Sequence, residues 1–275
     1  MQATSTDERP ERRDDRTGPA LSVEQFGAQC RITIKRIEKH NALSRDVLAE
    51  LARTVRHAAD DPCVHYVVIR GDGSRYFAAG GDLVDLATIR TEEATVAFAA
   101  ASRSALDAIR GSAIPVIAWL NGDALGGGAE LALACDLRVM APGARIGYVQ
   151  SRLAITSAWG GAADLCAVVG PSRALRMMAR AEMIDAAQAL AEGLTDAVLD
   201  GDIGGADATN FFAPLEAAPR HLLIAIKANV AACRPQATYQ AAREIEQANL
   251  VATWTHPAHW AAVDRVFTRS RRDPR

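Results

Sequence analysis

Residues 121–136 read Asn-Gly-Asp-Ala-Leu-Gly-Gly-Gly-Ala-Glu-Leu-Ala-Leu-Ala-Cys-Asp and gather more potential chemistry than any other stretch of the chain. Three consecutive glycines stand between a strand-like run, Pro115-Val116-Ile117-Ala118-Trp119-Leu120, and a helix-like run, 129–135. A strand that turns on glycine into a helix leaves the first helical N–H groups without intrahelical partners. Such groups stabilise negative charge, so the turn is a candidate anion or oxyanion site. Glu130 adds a carboxylate to the same turn. At an apolar helix start, desolvation is expected to raise its proton affinity. About 45 residues earlier a second strand ends in Phe77-Ala78-Ala79-Gly80-Gly81-Asp82-Leu83, where Asp82 is expected to cap the following helix.

Positioning two such turns requires strands that alternate with helices. Cys30-Arg31-Ile32-Thr33-Ile34 alternates as a strand. Ser44 is expected to cap a helix carrying Val47, Leu48, Leu51 and Val55, which ends at Asp60-Asp61-Pro62. His65-Tyr66-Val67-Val68-Ile69-Arg70 reads as a β-branched strand, residues 90–110 as helix, and Leu137-Arg138-Val139-Met140 and Arg145-Ile146-Gly147-Tyr148 as short strands. After Gly160-Gly161 the text is almost wholly helical. The pattern predicts an α/β fold, a parallel sheet covered by helices and followed by a helical section. Three regions are expected: a charged, disordered tail at 1–19, a core at 20–200, and a helical region at 201–275.

Composition narrows the function. The chain has 275 residues, 49% of them hydrophobic, enough for a sizeable core. A net charge of -2 argues against nucleic acid as partner. No apolar run has membrane-spanning length and no apolar signal region opens the chain, so a cytoplasmic protein is expected. The five cysteines have neither metal-ligand spacing nor the even number of a disulfide framework. His256 and His259 lie three apart beside Pro257, without the carboxylates or cysteines of a metal set, and are expected in a surface or interface role. No metal is expected.

At this point the chain resembles the crotonase superfamily, the enoyl-CoA hydratase/isomerase family. The likeness lies in Lys39-His40-Asn41-Ala42-Leu43-Ser44, the two glycine turns, Ala134-Cys135-Asp136-Leu137-Arg138 and Trp159-Gly160-Gly161, in order from about residue 21 to 270. The resemblance implies a crotonase-like spiral of ββα units, with a C-terminal helical region that builds homotrimers, often paired into hexamers. It implies an acyl-CoA thioester substrate, with CoA part of the substrate and no separate cofactor. By motif position, the N–H groups of Gly81 and Gly127 would form an oxyanion hole. Lys39 and Lys227 are candidates to meet CoA phosphates, Ala79 lies near the adenine pocket, and Trp159 is a candidate for the acyl pocket wall.

Hydratases of this family use two glutamates. Glu130 matches the first; the second position holds Gln150, an amide that orients by hydrogen bonds but supplies no acid. A reaction needing an enolate trap and one proton donor then fits, and residues 148–161 look similar to the ethylmalonyl-CoA decarboxylase branch, as does Trp254 followed by Pro257. They depart from it at Ser157-Ala158-Trp159. The leading expectation is decarboxylation of a malonyl-type acyl-CoA. In it Glu130 orients the surroundings of the departing carboxylate or handles the proton, Gln150 hydrogen-bonds the carboxylate and Arg152 is a candidate charge partner. The alternatives are an enoyl-CoA hydratase and a non-catalytic scaffold or RNA-binding relative.

Overall fold

The computed structural model describes residues 18–232 and 236–272. An antiparallel pair, β1 (Leu21–Phe26) and β2 (Gln29–Ile34), leads through a 3-10 turn at Ile37–Lys39 into α1 (Arg45–Asp60). Ser44 caps α1 by accepting from Val47 N at 3.3 Å. Val47, Leu48, Leu51, Ala52, Val55 and Ala58 form its buried stripe, as a helix with one core-facing side requires. Two similar steps follow. The first is β3 (Tyr66–Gly71), β4 (Tyr76–Ala78), α2 (Leu83–Leu86) and α3 (Glu92–Arg110). The second is β5 (Val116–Leu120), β6 (Asp123–Leu125) and α4 (Gly127–Ala134). Then come β7 (Leu137–Met140), β8 (Arg145–Gly147), a 3-10 turn at Gln150–Leu153, α5 (Gly161–Val169) and α6 (Pro171–Arg180). The chain continues through β9 (Ile184–Asp185), α7 (Ala186–Ala191), β10 (Ala197–Val198), α8 (Ala206–Ala217), α9 (Arg220–Ala232), α10 (Gln236–Trp254) and α11 (Pro257–Arg272).

Among the described residues the strands form two mixed sheets, ordered β1-β2-β3-β5-β7-β10 and β4-β6-β8-β9. β3 and β5 are parallel and apolar almost throughout, because helices cover both faces of the larger sheet. On one face Tyr66, Val68, Ile117, Trp119 and Val139 pack with Ile203, Ala208 and Phe212 around α8. α1 and α3 pack together on the other, and α10 lies against α3 and α5.

Each step passes from the larger sheet to the smaller one through a clamped turn. Asn121 Oδ1 accepts from Gly71 N at 2.9 Å, and its Nδ2 donates to Gly73 O at 2.7 Å. Asn41 Nδ2 donates to Asp72 O and Tyr76 O at 3.0 and 2.8 Å. β4 and β6 are parallel neighbours, with Ala78 opposite Ala124, so the loops leaving their C-terminal ends emerge side by side. That is the edge at which α/β sheets present ligand sites.

Two features depart from the sequence reading. β9 and β10, two residues each, lie in the region expected to be almost wholly helical; they exist because the edges of β8 and β7 recruit them. The expected N-terminal tail falls largely outside the described residues. No helix among those described is long and apolar enough to cross a membrane.

Candidate active site

Where the two loops emerge, a cavity of about 510 Å³ opens. Gly80, Gly81, Gly126 and Gly127 present main chain to it, and Glu130 and Gln150 present polar side chains. Leu86, Phe98, Trp159, Leu250 and Trp254 form an apolar wall.

The main-chain accounting explains what the glycines offer. Leu43 forms a parallel bridge at Gly81, bonding Gly80 O and Asp82 N at 2.8 and 3.0 Å. These bonds occupy the neighbours of Gly81 and leave its own N–H on the opposite side. Gly127 is the first residue of α4, so its N–H has no partner within the helix. Among the described residues neither N–H has a hydrogen-bond partner. Gly80 at φ 103° and Gly126 at φ 52° make the bends that bring the two loops together, in backbone conformations that favour glycine. The Trp159 indole lies across both loops. A methyl group on Gly127 would overlap its ring, and one on Gly81 would stand 3.8 Å from its Cζ2. Asp82 caps α2 through Val84 N at 3.1 Å and pairs with Arg36 at 2.7 Å, both side chains largely buried. It serves the loop and is neutralised there.

Glu130 is 2% exposed. Its Oε2 accepts from Trp159 N at 2.8 Å and Gly161 N at 3.1 Å, and its Oε1 accepts from Gln150 Nε2 at 2.9 Å. Burial, reinforced by the Glu246 carboxylate, outweighs these donors and pushes its pKa up to about 8. The donors are aimed by a grip on the carbonyls of the same turn. Arg110 Nη2 donates to Trp159 O at 2.8 Å, and Tyr148 Oη donates to Gly161 O at 3.0 Å. Arg110 is fixed by a buried ion pair with Asp164 at 2.7 Å. The amide Oε1 of Gln150 is buried without a partner, and the residue lines the cavity.

Of the other residues singled out in the sequence, Lys39 and Ala79 line the cavity, Lys39 with an exposed side chain. Arg152 also lines it, with one guanidinium nitrogen on Ala181 O at 2.7 Å. Lys227 is elsewhere. It is buried and bonds Asp136 Oδ2 and Ile114 O at 2.7 and 3.0 Å, so it ties α9 to the sheet and does not face the cavity. His259 is buried rather than superficial, with Nδ1 2.8 Å from Leu153 O and its ring against Trp254. No cluster of metal-ligating side chains occurs among the described residues. Arg110, Asp164, Tyr148 and Glu246 were not anticipated. The partners that tie them to the site lie 13 to 89 residues away along the chain, a separation that leaves no local signal.

Residues 25–264 match the sequence model of a family described as enoyl-CoA hydratase/isomerase. Crotonyl-CoA hydratase of Syntrophomonas wolfei is 37% identical over 166 residues, 60% of this chain and 64% of that protein. Mouse mitochondrial methylglutaconyl-CoA hydratase is 38% identical over 167 residues, 61% of this chain and 53% of that protein. The matched region thus spans less than two thirds of either relative. Among solved structures, an enoyl-CoA hydratase/isomerase from Xanthobacter autotrophicus Py2 superposes with TM-score 0.83 at 25% identity, covering 94% of each chain. An enoyl-CoA hydratase from Mycobacterium avium subsp. paratuberculosis K-10 superposes with TM-score 0.79 at 26% identity, covering 90% of this chain and 99% of that one.

Proposed function

The chain belongs to the enoyl-CoA hydratase/isomerase family, and from that premise we propose that it adds water across the double bond of a 2-enoyl-CoA, holding the thioester oxygen between the N–H groups of Gly81 and Gly127. The observation that carries this reading is Glu130, a buried carboxyl group bordering the same cavity as two unpaired backbone donors. Charge that gathers on the thioester oxygen is stabilised by such donors; one of them is worth roughly 2.7–4 kcal/mol in a comparable enzyme. Both Glu130 oxygens accept hydrogen bonds, but Oε2 already has two close backbone donors, which leaves Oε1 as the oxygen to exchange a proton. Water's oxygen bonds Cβ, Glu130 gives its proton to Cα, and the water proton restores the carboxyl group. Gln150, on the same cavity, steadies Glu130 by donating its Nε2 to Oε1. The relatives described above are named as hydratases, which favours hydration over the decarboxylation that Gln150 suggested. Assembly into a homotrimer or hexamer belongs to the same proposal.

One observation keeps a second reading in view. Asp82 is paired with Arg36, so Glu130 is the one carboxyl group on the cavity without an ion pair among the described residues. Loss of carbon dioxide from a malonyl-type thioester needs one proton donor: the Cα–carboxylate bond breaks, its electrons form the enolate, and Glu130 protonates Cα. A panel of acyl-CoA thioesters followed by mass spectrometry separates the readings. Hydration of crotonyl-CoA adds the mass of one water; decarboxylation of methylmalonyl-CoA or ethylmalonyl-CoA removes that of one carbon dioxide. Glu130→Gln is expected to lower the productive rate by about 10²–10⁴-fold. Turnover of malonyl thioesters alone would replace the first reading with the second, and no turnover at all would point to a non-catalytic relative.

A further inference from the structure

A second buried carboxyl group stands behind the turn that holds Glu130. Glu246, on α10, is 5% exposed. Its Oε1 accepts from Ser157 Oγ at 2.5 Å and from Ala162 N at 3.2 Å, while its Oε2 is buried without a partner. The turn at 157–162 is therefore divided between two acids. Trp159 and Gly161 give their N–H groups to Glu130 from α4, and Ser157 and Ala162 donate to Glu246 from α10. An unpaired carboxylate oxygen in a buried site is expensive, and two such carboxylates near one another cannot both ionise cheaply. One proton between the two relieves the second cost, and the Arg103 guanidinium that faces Glu246 favours leaving the charge there.

We propose that Glu246 is a positioning residue whose carboxylate, held by Ser157 and Ala162 on the far side of the 157–162 turn, keeps the proton on Glu130. This rests on the reading of Glu130 as the proton donor. The neighbouring charges support a coupled pair. Glu130 is faced by Glu246 from α10 and by Tyr148, a buried phenol whose own proton is held more tightly beside Glu130. Glu246 is faced by Arg103 from α3, by Asp164 from α5 and by the Ser157 hydroxyl. Asp164 is itself paired with Arg110. The acids at 246 and 130 thus hold different donors of one short turn.

The test compares the full-length protein with Glu246→Gln and Ser157→Ala by pH–rate profiles on the acyl-CoA that the wild type turns over. It adds carbon-13 titration of labelled glutamate carboxyls, with the Glu130 signal assigned by its loss in Glu130→Gln. In Glu246→Gln the alkaline limb of kcat/KM and the Glu130 titration are both expected to move to lower pH by about one unit or more. Ser157→Ala removes a donor that favours charge on Glu246, so a smaller shift in the same direction is expected; it also serves if Glu246→Gln does not fold. A lower rate or lower thermal stability with limb and titration unmoved would overturn the proposal, leaving Glu246 a purely structural residue. If the wild type turns over no acyl-CoA, the reading of function fails, while the carbon-13 titration still decides whether the two acids are coupled.

Discussion

A carboxylate with N–H donors on both oxygens is usually a strong anion, yet Glu130 is pushed the other way by burial and by Glu246. This has a consequence for stability. The folded chain holds the Glu130 proton up to about pH 8, whereas the unfolded chain releases it near the ordinary value of 4.5. Below 4.5 both states carry the proton and the stabilisation is fully present; between the two values unfolding releases a proton, so stability falls as pH rises and is lost through the folded pKa. Thermal melts from about pH 5 to about pH 8 should therefore decline more steeply for the wild type than for Glu130→Gln; equal slopes would show that Glu130 is not held protonated. At this scale the sequence was legible where the chemistry is local. Gly81, Gly127 and Glu130 stand in short motifs whose residue types already imply donors and a desolvated acid. It was illegible for Arg110, Asp164 and Glu246, because an arginine inside a helix looks the same whether it meets water or a carboxylate 54 residues away.

At the scale of elements, what matters is how a turn without a regular secondary structure of its own is held to a fixed direction. α3 delivers Arg110 to the Trp159 carbonyl, the end of β8 delivers Tyr148 to the Gly161 carbonyl, and the opposite N–H groups then face α4. Replacing Arg110 with Met removes the buried ion pair to Asp164, whose side chain is 5% exposed. The expected cost is about 3–5 kcal/mol in urea denaturation, with a loss of turnover larger than a surface arginine change would give. A cost under 1 kcal/mol would mean that the Arg110–Asp164 pair contributes little to holding the turn. The helices and the long strands were readable because each has its own periodicity and caps: Ser44, Asp82 and the β-branched runs of β3 and β5. β9 and β10 were not, since two residues have no period and become strands only against β8 and β7.

Across the whole molecule the C-terminal helices belong to the site as much as the spiral does. α10 supplies Glu246 and Leu250 and ends in Trp254, whose indole N–H donates to Ile89 O at 2.9 Å while its ring lines the cavity. α9 is fastened from behind by Lys227 on Asp136, whose Oδ2 also accepts from Val116 N at 2.8 Å. Sequence motifs suggested lysines for CoA phosphates but could not distinguish an exposed ammonium from one turned inward. Lys227→Met is expected to lower stability and leave the KM for acyl-CoA within about twofold, whereas Lys39→Met, at the cavity, is expected to raise KM with little change in melting temperature. The reverse pattern would exchange the two assignments. The glycine loops carry a last implication, for how such an enzyme diversifies. The groups proposed to polarise the thioester are main-chain atoms, so no side chain encodes them and, proline apart, a substitution can remove them only by disturbing the loops. Codons for Leu86, Phe98, Ile155 or Leu250 can therefore change one at a time, reshaping the space proposed for the acyl chain, while the proposed electrostatic trap stays where two neighbouring strands deliver it. A mutational library confined to those walls is the natural starting point for adapting the protein to new thioesters.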